Sequence, residues 1–288
     1  MGYVDDAFDK LKHTLEITDT EVKAASRRHQ AIRDVVREAW DLEDDFLTGS
    51  YRRDTKTKKL KDVDIFVVLD PEGSQAHYRK KPPGDVLAAL KAVLDDSYDN
   101  VTIDELAVTV SFGSDEDVVS FDVVPAYKRT SAGKGYEIPD THTGSWIATN
   151  PKTHHELSTA KNQACDDKYV PLIKMIKGIN QQLGEPVRSF LLEVMGQKIV
   201  KPPLGRYQDE VRWFLADAAD AVLQPWPDPA GLGPDVNTLS SSEREAAKKA
   251  LNDALTIAEE AIRLENDGQE RAAVEEWRKL FGWRMPRP

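Results

Sequence analysis

Cysteine is almost missing from this chain: Cys165 is the one thiol in 288 residues. An internal disulfide framework is thereby excluded, which fits a reducing, cytoplasmic setting, and a lone thiol of this kind reads as a small packed residue. Long apolar runs are missing as well. No stretch approaches the ~18 to 20 apolar residues of a membrane span, the N-terminus lacks the basic start and apolar core of a secretory signal, and Asp6 stands where a myristoylation signal needs Ser or Thr. Positive charge is in deficit, with 39 Lys and Arg against 50 Asp and Glu and a formal charge of −11. Gripping a long polyanion takes a basic face, so long nucleic acid is not an expected partner; a small phosphorylated substrate held locally with metal ions is compatible.

What the chain does contain is a core and one stretch rich in chemistry. A hydrophobic content of 40% is enough for one large domain or two packed ones. Leu47-Thr48-Gly49-Ser50-Tyr51 is followed by Lys61-Asp62-Val63-Asp64 and a β-branched, apolar run to Leu69, of strand type. On a strand, residues i and i+2 share a face, so Asp62 and Asp64 converge, and their repulsion calls for a proton or a cation between them. Gly49-Ser50 reads as a turn where a phosphate can approach backbone N–H groups and a hydroxyl. A second apolar run, 118–124, carries Asp122. A carboxylate there needs a partner or a metal, and three converging carboxylates suit two Mg²⁺ ions. Metal-dependent phosphoryl chemistry is the expectation.

Around this centre, apolar spacing predicts helices over 5–16, 19–40 (capped by Thr18 or Asp19 with Glu21 behind) and 85–97. Strands are expected at 63–69, 106–112 and 118–124, the last two joined by a turn over 113–117. His29 reads as a packed histidine rather than a ligand. The cationic stretch of Arg52, Arg53, Lys56, Lys58, Lys59 and Lys61 is either a solvated connection or a basic rim beside phosphates. Residues 127–151 are loop-like, and the chain then turns helical over 153–182, 186–195, 206–223, 240–267 and 269–280. Lys174 and Lys177 share one helix face at i, i+3.

With these residues placed, the chain resembles the polymerase β-type nucleotidyltransferases, and within them the cGAS/DncV-like nucleotidyltransferases (CD-NTases) of bacterial anti-phage (CBASS) signalling. The resemblance rests on Gly49-Ser50-Tyr51 with Arg53 and Thr55, Asp62-Val63-Asp64, and Asp122 before Val123-Val124-Pro125. Further matches are 146–151, 174–180, Ser189 to Glu193, Asp228-Pro229-Ala230-Gly231, and Trp277 to Gly282. It implies an α+β fold: a mixed-sheet catalytic lobe with a long N-terminal helix, 1–140, packed on a helical OAS/cGAS-like lobe, 141–288. It implies that Asp62, Asp64 and Asp122 are catalytic and hold two Mg²⁺ ions, with Mn²⁺ as a substitute. Gly49, Ser50, Arg53, Lys177 and Ser189 would bind the triphosphate, and Asp122 would neighbour the attacking hydroxyl. The implied activity joins ribonucleoside triphosphates, ATP among them, into a cyclic di- or trinucleotide that activates a downstream effector, with release of pyrophosphate. Two departures are Asp54, where relatives often carry glycine, and Ile179, where an aromatic is frequent before Asn180. The ending Met285-Pro286-Arg287-Pro288 has no glycine of the kind used in ubiquitin-like conjugation, so a HORMA-type activating protein is favoured. The alternative is a nucleotidyltransferase acting on RNA or a protein target, CCA-adding or toxin-like; the acidic charge argues against RNA. A pseudoenzyme would need a lost carboxylate, and all three are present.

Overall fold

The computed structural model describes residues 2–58, 60–113, 120–130 and 134–288. Lys59, turn positions 114–117, strand positions Val118 and Val119, and Gly133 lie outside them. The chain forms two compact units, one comprising Ile17–His155 with Ala230–Pro234, the other Met1–Glu16, Glu156–Pro229 and Asp235–Pro288.

The first unit is built on a mixed sheet. In sequence its strands are β1 (Leu42–Thr48), β2 (Asp62–Leu69), β3 (Val101–Ile103), β4 (Val108–Ser111), β5 (Ser120–Lys128), β6 (Tyr136–Asp140) and β7 (Ser145–Thr149). Their spatial order is β1-β2-β5-β4-β3, with β6 on β5 and β7 on β6. β2 and β5 run parallel, and the other described pairs are antiparallel. Alternation divides β2: Val63, Ile65, Val67 and Leu69 join a core with α2 (Asp19–Ala39) and α4 (Pro83–Asp95), while Phe66 and Val68 pack on the opposite face with Phe46, Val124, Ala126 and Tyr136. Asp62 and Asp64 share the parity of Phe66 and Val68, so they lie on the face that α2 and α4 do not cover.

Thr18 caps α2, and Glu21 reaches back to the Thr18 amide at 2.7 Å, a reciprocal arrangement worth about 1 kcal/mol. The other oxygen of Glu21 accepts from the Leu60 amide at 2.9 Å. One buried carboxylate thus fixes the helix start and the entry to β2.

Several strands were not expected. β1 carries three successive acids, Glu43, Asp44 and Asp45, which obscure any alternation; each is paired, with Lys128, with Lys152, and with Arg33 and Arg37. The loop-like reading of 127–151 is replaced by the β6–β7 hairpin, whose Pro139 and short strands weaken the sequence signal. β3 is only three residues long.

The second unit is helical: α1 (Tyr3–Leu15), most of α5 (Pro151–Ala164), then α6 (Tyr169–Gln182), α7 (Ser189–Ile199), α8 (Tyr207–Ala221), α9 (Ser241–Asn266) and α10 (Glu270–Phe281). The helix expected over 153–182 is broken between α5 and α6, where Asp166 and Asp167 adopt φ 49 and 59. Cys165, beside this break, is fully buried. The division expected at 140/141 also differs from the observed units. α1 belongs to the helical unit because Val4, Phe8, Leu11 and Leu15 enter its core, with the Phe8 ring 5.0 Å from Trp277 edge-on. β7 remains with the sheet because it pairs with β6.

Candidate active site

One rung of the sheet carries the chemistry. Thr48 pairs with Asp64, Asp64 with Asp122, and Asp122 with Thr109. Directly paired residues point to the same face, and neighbouring strands lie about 4.8 Å apart, so Asp64 and Asp122 stand side by side. Asp62 is two residues earlier on the same face.

The Gly49 turn is moulded onto this rung. β1 ends at Thr48, and Gly49 follows at φ +65. A Cβ built there would lie 1.6 Å from Asp64 Oδ2, so the glycine is required both by backbone conformation and by the carboxylate resting on its Cα. Residues Gly49–Arg52 form one helical turn, closed by the Arg53 amide donating to the Gly49 carbonyl at 3.2 Å, and the Thr55 amide donates to the Ser50 carbonyl at 3.0 Å. Asp54 adopts φ 56. This left-handed conformation suits glycine and is tolerated by aspartate, which accounts for the departure noted at that position.

Each aspartate has its own environment. Asp62 accepts from Lys56 Nζ at 2.7 Å, and Asp122 accepts from Thr109 Oγ1 at 2.7 Å. Burial pushes the Asp64 carboxyl up to about 6; the neighbouring charges of Asp62 and Asp122 push the same way, against Lys56 and Arg53. Asp122 is also raised, chiefly by burial, with the Thr109 hydrogen bond opposing. Among the described residues, no three His, Cys, Asp or Glu side chains are gathered closely enough to hold a metal ion as they stand; Lys56 and Thr109 engage two of the aspartates.

Of the cationic stretch, Arg53 is buried and Lys56 turns onto the site, whereas Arg52 and Lys61 are exposed. The solvated reading therefore holds for Arg52 and Lys61, while Arg53 and Lys56 lie within electrostatic reach of Asp64. Lys177 and Ser189 belong to the helical unit. Lys177 is only 4% exposed and donates to Glu193 Oε1 at 2.6 Å, and Lys174, also buried, pairs with Glu16, so neither is a solvated lysine. Ser189 opens α7 and is exposed. Ile179 is core, and Asn180 brackets Val187, donating to its carbonyl at 2.7 Å and accepting from its amide at 3.1 Å. Sequence reasoning missed Thr109, whose signal is the alternation of apolar and hydroxyl residues along Val108–Ser111, and the specific role of Lys56.

Residues 1–162 match the family model described as the Second Messenger Oligonucleotide or Dinucleotide Synthetase domain (SMODS), which spans more than half of the chain. The chain belongs to this family. It is thus a nucleotidyltransferase that makes second-messenger oligonucleotides or dinucleotides. A probable cyclic nucleotide synthase of Bacillus cereus (strain VD146) is 28% identical over 271 residues, 83% of this chain and 81% of that protein. The cyclic AMP-AMP-AMP synthase of an Acinetobacter species (strain ATCC 27244 / 9458) is 26% identical over 306 residues, 97% of this chain and 84% of that one. Among solved structures, CdnC of E. coli MS115-1, in a complex with HORMA-deltaN, superposes with a TM-score of 0.75 at 15% identity, covering 96% of each chain. That likeness shows the expected α+β nucleotidyltransferase fold. The relatives favour cyclic-oligonucleotide synthesis over the RNA- or protein-modifying alternative. No described helix is long and apolar enough to cross a membrane.

Proposed function

We propose that the protein joins ribonucleoside triphosphates, ATP among them, into a cyclic di- or trinucleotide, using Asp62, Asp64 and Asp122 as holders of two Mg²⁺ ions, with Mn²⁺ as a substitute. The observation carrying this reading is the rung that sets Asp64 beside Asp122 and folds Gly49 onto Asp64. The donor set fits a hard divalent cation: carboxylate oxygens on one face, two of them raised in pKa by burial and by like charge, which a cation would relieve. When bound, such ions supply Lewis acidity toward the acceptor hydroxyl and the departing phosphates.

The chain's own residues supply the rest. The Gly49-Ser50 turn would present backbone N–H groups and a hydroxyl to the triphosphate beside the rung, and Arg53 would add positive charge. The acceptor ribose hydroxyl attacks the α-phosphorus, the bond to the bridging β-oxygen breaks, and pyrophosphate leaves with the electron pair. Asp122 stands nearest the role of receiving the hydroxyl proton, with Thr109 holding the oxygen that is not needed for it. A further intramolecular transfer closes the ring. Lys177 and Ser189 are assigned to triphosphate contacts by family resemblance. A HORMA-type activator, supported by the HORMA-deltaN bound to CdnC, completes the reading, together with a downstream effector and a cytoplasmic location.

Incubation with Mg²⁺ and each pairing of the four ribonucleotides, then phosphatase digestion and mass spectrometry, tests the reading. Phosphatase-resistant cyclic products that disappear in Asp62→Ala and Asp64→Ala variants are expected. Undiminished product from an Asp62→Ala/Asp64→Ala double variant, or label transferred to RNA or protein instead, would refute it.

A further inference from the structure

The carboxylate site has a positively charged neighbour that no catalytic role has yet claimed. Lys56 lies between Thr55 and Thr57, both buried, so the backbone is anchored on either side of it. Its side chain, 15% exposed, turns onto Asp62, which is 42% exposed, with Nζ 2.7 Å from Oδ1. The same ammonium also opposes the upward shift in pKa of Asp64 and Asp122, so its charge acts on all three aspartates.

We propose that Lys56 is the built-in counter-cation of this site: its ammonium holds Asp62 when no divalent ion is present and is expelled from Asp62 when one binds. The inference rests on the metal-binding reading above. Three carboxylates on one face repel one another, and a single positive charge beside them relieves part of that repulsion. An incoming divalent ion relieves more, and the ammonium is then a like charge at short range. A lysine suits such an exchange because it is a compact point charge on a flexible stem, whereas an arginine would grip the carboxylate bidentately. The exchange requires rotation of one side chain while its threonine-anchored backbone stays in place. Lys56 thereby competes with the metal and sets the ion concentration at which the site fills.

The test uses the full chain, stripped with chelator, and Mn²⁺ alone as the probe. Free Mn²⁺ is followed by electron paramagnetic resonance, with circular dichroism to check folding. Lys56→Met is expected to bind Mn²⁺ about tenfold more tightly than wild type, since both competition and like-charge repulsion are removed. It is expected to melt at a lower temperature than wild type in chelator, and the gap should close in saturating Mn²⁺, where the wild-type pair is already broken. Lys56→Arg should bind Mn²⁺ more weakly than wild type, and decides the matter if Lys56→Met fails to fold. Unchanged or weaker Mn²⁺ binding by folded Lys56→Met, tighter binding by Lys56→Arg, or a melting gap that persists in saturating Mn²⁺ would each overturn the proposal. Asp64→Asn separates the two levels. If it binds Mn²⁺ as wild type does, the metal-site reading fails and the proposal falls with it. If it loses binding while Lys56→Met matches wild type, the counter-cation role alone is wrong.

Discussion

Replacing Gly49 by alanine is the smallest change that reaches the centre of the site. The added Cβ would lie 1.6 Å from Asp64 Oδ2 and 2.5 Å from its Cγ, far inside van der Waals contact, so either the carboxylate or the turn must move by more than 1 Å. The backbone at φ +65 adds a second penalty, about 1 kcal/mol for an L-residue in the left-handed region. Accommodating the clash adds cost of the same order, giving a total loss of about 1–3 kcal/mol. The effect on turnover is larger, because a misplacement of about 1 Å at a reacting centre costs on the order of 10²-fold in rate. Gly84 is the matched control: nothing lies within 4 Å of the Cβ it would gain. Cyclic product is quantified by chromatography for wild type, Gly49→Ala and Gly84→Ala, with thermal melts in parallel. Gly49→Ala should lose about two orders of magnitude in kcat/KM with a modest fall in Tm, and Gly84→Ala should match wild type. Turnover by a folded Gly49→Ala within about threefold of wild type would refute the packing of the turn against Asp64, because the clash leaves no arrangement that preserves both groups.

Three other perturbations probe the surroundings. Because the native Asp64 carboxyl is raised to about 6, the folded chain binds more protons than the unfolded chain between the ordinary carboxylate range and that value. In chelator this site should therefore add stability as pH falls from about 6 to about 4, and denaturant titration of Asp64→Asn should show that component flattened. Thr109→Val removes the hydrogen bond that lowers the Asp122 pKa; the acidic limb of the rate profile should shift to higher pH, with about 1 kcal/mol lost in denaturant titration. Lys177→Met leaves Glu193, which is equally inaccessible, without its ammonium partner. A loss of about 3–5 kcal/mol is expected, and a Lys177→Met/Glu193→Leu double variant should recover part of it in the same titration.

What could be read from the residues alone was local chemistry: the i, i+2 spacing of Asp62 and Asp64, the acid inside the apolar run of β5, the Gly49-Ser50 turn, and the Thr18–Glu21 cap. Each is decided by neighbours in sequence. β1 was invisible because its acids answer to Arg33, Arg37, Lys128 and Lys152, which come from distant positions. Thr109 was missed for the same reason, since only strand pairing reveals that its hydroxyl meets Asp122. Placing α1 with the sheet failed because an amphipathic helix shows that it has a partner without showing which, and the partners of Phe8 are Trp277 and Phe281, near the other end of the chain. The buried state of Lys174 and Lys177 was equally hidden, because each depends on a carboxylate from a different helix or its flank.

The direction of strand pairing explains how a sheet this apolar tolerates three acids. β2 and β5 are parallel, with Asp62 opposite Ser120 and Asp64 opposite Asp122. Parallel pairing in this register brings all three acids to one end of the paired segments. Antiparallel pairing would send one set of acids to the opposite end and leave each alone, charged, beside apolar neighbours, where desolvation has no local compensation. Gathered at one end, the acids repel one another, but the Lys56 ammonium acts on all three and the Thr109 hydroxyl donates to Asp122. The apolar remainders, 65–69 and 123–127, run on into the cores on the two faces of the sheet. Register is held by this same division, because a slip of one residue would carry Asp62 and Asp64 onto the face packed by α2 and α4. The packing that stabilises the sheet is thus also what keeps the carboxylates together on the face opposite α2 and α4.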